Sequence, residues 1–104
     1  MAFDADKTLQ DMIKAISGVL SGEWPAIKSC VERALEKEKE AIAKIAKARL
    51  KNQIDDDDMR RHLEDRKLVL EAALLACQVT AKMAAQNAAN AAIDVLSKAI
   101  KAAL

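Results

Sequence analysis

The stretch from Ile54 to Leu104, IDDDDMRRHLEDRKLVLEAALLACQVTAKMAAQNAANAAIDVLSKAIKAAL, decides the fold. It contains no Gly and no Pro, and good helix formers fill it, so nothing in it demands a break. Asp55 to Asp58 put four consecutive carboxylates at its start, beside the positive end of a helix dipole, and any of them can cap. The reading is one helix over about 57–104. Its inward seam changes character halfway: Leu63, Leu70 and Leu74 give way to Ala81, Ala84, Ala85, Ala88, Ala92 and Ala99. A seam that shrinks from Leu to Ala admits a close helix or receives large side chains from one.

Working back from Ile54, Asn52-Gln53 forms an interhelix turn, and a second helix is predicted over about 25–52. Pro25 suits its first turn, where a missing N–H costs nothing. Ser21-Gly22 stops a first helix over about 7–20, whose Leu9, Met12, Ile13, Ile16 and Leu20 recur at helical spacing. Asp4 or Asp6 caps it, with Phe3 packing back. The fold class is therefore all-α: a short N-terminal helix and a long antiparallel hairpin in a single domain, residues 1–104. At 1.5 Å per residue the three helices measure roughly 20, 40 and 70 Å. Helix one, end to end with helix two, can cover the alanine half of helix three with its large side chains. Alternatively two chains pair there. Beyond Ala76 helix three is apolar around more than half its circumference, which predicts a homodimer or higher oligomer forming a helical bundle. The expected interface is Ala81, Ala85, Ala88, Ala92, Ile93, Leu96, Ile100 and Leu104.

Composition narrows the function classes. The 104 residues carry 17 Lys and Arg against 16 Asp and Glu, so the basic excess of a nucleic-acid binder is missing. No run reaches the roughly 18 apolar residues of a membrane span. The opening MAFDADKTL lacks the basic and apolar regions of a signal peptide, and a cytoplasmic location is the expectation.

Motif by motif, chemistry finds little support. Asp58, His62 and Asp65 share a helix face and are weak candidates for a metal, but nothing else closes a coordination sphere. The acidic run lacks the Gly of a calcium loop. Glu38 points inward on helix two, level with Lys67, and reads as a register-setting ion pair. Cys30 and Cys77 fall at nearly the same level of the hairpin, where a disulfide is possible, although two small buried hydrophobes fit a cytosolic protein better. Trp24-Pro25-Ala26 lacks the third-place Gly of the Trp-x-Gly secreted proteins, and the chain has no Tyr. No catalytic set, phosphate loop or cofactor fingerprint is present. The sequence thus predicts a non-enzymatic helical interaction or assembly module that self-associates through the alanine seam. The alternatives are an adaptor or chaperone for a helix of a secreted or phage-type partner, and a small metal- or ligand-binding bundle.

Overall fold

A computed structural model describes residues 3–104, with four helices: α1 (Ala5–Val19), α2 (Trp24–Leu50), α3 (Asp56–Ala76) and α4 (Lys82–Ala103). The described residues contain no strand. Short connections fold each helix back against the one before it, and α4 closes the ring by packing on α1. The result is an antiparallel four-helix bundle, 39 × 22 × 19 Å, about as long as α2 alone.

The helix starts obey the capping signals. Asp4 accepts from the Lys7 N–H at 3.1 Å, and Phe3 packs against the core beside it. Asp55 and Asp58 form a reciprocal capping box at the head of α3: the Asp58 N–H donates to Asp55 at 2.8 Å and the Asp55 N–H to Asp58 at 3.3 Å. Pro25 sits in the first turn of α2, as expected.

The single helix expected over 57–104 is not formed. The chain stops at Ala76 and reverses through Cys77–Ala81. Gln78 takes the left-handed conformation, φ 71°, that glycine usually supplies. The Val79 N–H then reaches back to the Leu74 carbonyl (3.2 Å) and the Gln78 N–H to that of Leu75 (3.1 Å). This is a Schellman termination, and its hydrophobic partner is Val79, which is buried. The same device ends α2, where Asn52 has φ 57° and the Gln53 N–H returns to Ala48 at 2.9 Å. Left-handed Gln is mildly unfavourable, so burial of Val79 and docking of α4 must supply the difference.

The reversal places the alanine seam inside the chain. Ala85, Ala88, Ala89 and Ala92 of α4 are fully buried, as are Met12 and Ile16 of α1. The α1–α4 contact is the most extensive in the bundle. Large side chains of a short helix enter the small half of the seam, as side-chain size predicts. Helix one does this lying alongside α2, however, and not end to end with it, because α4 has turned back to meet it.

Two cross-links tie α2 to α3. Cys30 and Cys77 are joined in a disulfide, with Cα atoms 5.7 Å apart. The expectation of two free thiols is overturned: Cys77 ends α3, and its position there turns it toward Cys30. Glu38, buried as its spacing demands, accepts from Arg66 Nη1 through both carboxylate oxygens, at 3.0 and 3.2 Å. The expected partner Lys67 instead pairs with Glu64 at 3.1 Å, because one residue of α-helix rotates it 100° away from α2.

Replacing Ala88 with Leu overpacks a site without relief. The expected cost is about 1–3 kcal/mol, read as a melting temperature lower by roughly 5–15 °C; an unchanged melt rules out close approach at α4. Closing a loop of 47 residues stabilises by about 4 kcal/mol on the chain-entropy argument. Reduction, or Cys30→Ser with Cys77→Ser, should therefore lower the melting temperature by roughly 10–20 °C.

Candidate interaction surface

The expected interface residues divide into three groups. Ala85, Ala88, Ala92, Leu96 and Ile100 are fully buried within one chain, so a second chain cannot touch them while α1 stays in place. Ile93 is half-buried. Ala81 and Leu104 are exposed at the two ends of α4, outside the helix. The seam serves the fold of the single chain.

A different apolar surface is left open. From Leu68 to Ala76, α3 reads LVLEAALLA, with Glu71 its only charge. Leu70 and Leu74 point into the core, and the opposite side of the same turns is apolar too. Leu68 is 60% exposed, Val69 41% and Leu75 39%, with exposed Ala72 and Ala76 between them. Leu68, Ala72 and Leu75 follow the four–three spacing of a helix-pairing stripe. An apolar helix circumference belongs inside a larger assembly, yet here half of it faces water. The signal was present in the sequence, in a run apolar all round the wheel, but the continuous-helix reading drew attention to the alanines beyond it.

Beside this stripe α2 and α3 leave an open groove of about 650 Å³. Ala34, Val69, Ala73, Ala76 and the disulfide form its apolar floor, and Arg66 with Glu38 stands within it. Its outer rim on α2 carries Arg33 and Lys37, one turn apart and both exposed. Among the described residues no carboxylate lies within 4.0 Å of either cation; Lys39 takes Asp6, Arg49 takes Asp56, and Arg66 takes Glu38. Glu36 and Glu40 lie one turn beyond Arg33 and Lys37 without closing on them, and Glu40 pairs instead with Lys44.

The other candidates do not assemble. Asp58 is spent on the capping box, while His62 and Asp65 are exposed on the α3 surface. His62 shares a shallow groove with Lys44 and Arg66, cations where a metal site needs anions. Among the described residues no cluster of three His, Cys, Asp or Glu side chains could hold an ion. A second groove, between α3 and α4, has a mixed lining that includes Arg60, Glu64, Lys67 and Asp94, without a convergent set. Titration is perturbed at exposed structural positions. The carboxyl of Asp55 lies below its ordinary value because the Asp58 N–H donates to it, and the Lys39 amine lies above its own because Asp6 accepts from it. No family model matches the chain, and no curated protein or solved structure matches it either.

A carboxyl held low in the folded state contributes stability above its unfolded value, lost as pH falls through the folded one. Asp55→Ala should therefore melt earlier than the parent chain at neutral pH, and the two should converge as pH falls through the lowered value of the folded carboxyl. A difference that stays constant through the acid range would mean that the cap does not act through its charge.

Proposed function

We infer that this protein is a non-catalytic helical interaction module that receives a partner helix on the outer face of α3. The observation that carries the reading is the exposed stripe of Leu68, Val69, Ala72, Leu75 and Ala76, directly opposite a fully packed core. Monomeric proteins rarely leave a contiguous apolar stripe on a regular element, and a helix of similar character covers it best. This replaces the alanine seam as the site of association, since α1 already fills that seam. The non-enzymatic reading is supported by perturbed titration at a helix cap and a surface ion pair, each with a structural cause.

No described helix is long and apolar enough to cross a membrane. The Cys30–Cys77 disulfide favours an oxidising compartment over the cytoplasm expected from the sequence, because reducing compartments keep such thiols apart.

The test is association measured by light scattering over a concentration series and by co-purification from the native source. Wild type is compared with Leu68→Lys/Leu75→Lys. Both side chains are exposed, so the variant should keep its melting temperature within about 0.5 kcal/mol of stability yet lose the associated chain, whether a second copy or another polypeptide. Association that survives this change, but is lost in Ala88→Leu, would return the interface to the alanine seam.

A further inference from the structure

Resting on the docking role of α3, the geometry points to an acidic amphipathic helix of another protein as the occupant of the α2–α3 groove. The groove is concave and its floor is small and apolar, at Ala34, Ala73 and Ala76, so it accepts large side chains spaced along an incoming helix. Its open rim is basic. Arg33 and Lys37 stand one turn apart, exposed, without a carboxylate within 4.0 Å among the described residues, so both are open to carboxylates from outside. An incoming helix that buries Leu or Phe on the floor presents its flank to α2, and Asp or Glu along that flank meets both cations.

A second copy fits less well. Antiparallel pairing of two α3 faces, which helix dipoles favour, leaves α2 on the same side in both chains. Arg33 and Lys37 of one copy then face the same cations of the other, a juxtaposition that disfavours the pair. An anionic lipid surface fits less well again, because it is flat where the groove is concave. Asp65 on the outer side of α3 and Glu64 beside it would also be repelled.

Two synthetic amphipathic peptides of equal length, with Leu on one face and either Glu or Lys along one flank, test the proposal against the intact oxidised chain. The Glu-flanked peptide is expected to bind, and more weakly as salt rises. Arg33→Glu/Lys37→Glu is expected to weaken it about tenfold or more and to favour the Lys-flanked peptide. Val69→Lys, on the exposed apolar edge of the groove, is expected to abolish binding of both. If Val69→Lys abolishes binding while the charge reversal changes nothing, the acidic partner is refuted and the apolar docking role stands. If neither peptide binds and neither Val69→Lys nor Leu68→Lys/Leu75→Lys alters association, both readings fail. A concentration-dependent dimer lost in Val69→Lys, with no peptide bound, makes a second copy the occupant and overturns the proposal. So does sedimentation with phosphatidylglycerol vesicles that the charge reversal removes, again with no peptide bound.

Discussion

The bundle depends on the reversal of the chain after Ala76. Gln78 takes the left-handed conformation, and the carbonyls of Leu74 and Leu75 are satisfied by returning N–H groups. Had the helix run on, α4 would project beyond α2 with an apolar seam open to water. Because it turns, the alanines of α4 meet Met12 and Ile16 of α1, and a 104-residue chain closes four helices around one core. Small residues are what allow this closure: a helix lined with Leu at Ala85, Ala88 and Ala92 would hold α1 at a distance its short length could not offset.

Satisfying the core in this way shifts the question of association to another surface. Self-assembly through the alanine seam and folding of the single chain compete for the same side chains, and the closed bundle gives them to the fold. What remains is α3, which is apolar on two opposite sides over its last nine residues, Leu68 to Ala76. Its inner side meets Leu35 and Ile42 of α2 in the common core, while its outer side lies beside the cations of α2. On the docking role proposed for α3, apolar contact would supply the attraction on that side and charge the choice of partner.

Much of this architecture could be read from residues. Ser21-Gly22, Pro25 and the aspartate run mark three boundaries because each has a local physical effect: chain freedom, a missing N–H, or charge at a dipole. The inward positions of Leu63, Leu70, Leu74 and Glu38 followed from spacing alone. The fourth boundary was not legible, because Gln78 occupies a left-handed position without the glycine that announces one. Its cause lies in tertiary burial of Val79 and in the bond from Cys77 to Cys30, neither of which has a local signature. The ion pair was placed at the right level, but its partner changed from Lys67 to Arg66, since level along a hairpin does not fix rotation about it. The candidate surface is legible in LVLEAALLA, apolar all round the helix, and a continuous helix over 57–104 hides it by extending the apolar seam into the alanines beyond.

The disulfide also sets a route for mechanical load. Tension applied at the two ends of the chain enters through α1 and the start of α2, and at Cys30 it meets a covalent shortcut to Cys77. From there it leaves through α4, so residues 31–76 form a closed loop that carries none of it. The α3 face proposed for docking lies within that loop. Pulling can strip α1 and α4 from the bundle while the α2–α3 hairpin keeps its covalent closure, which makes the outer pair of helices expendable under force and that hairpin the last part to lose its connectivity.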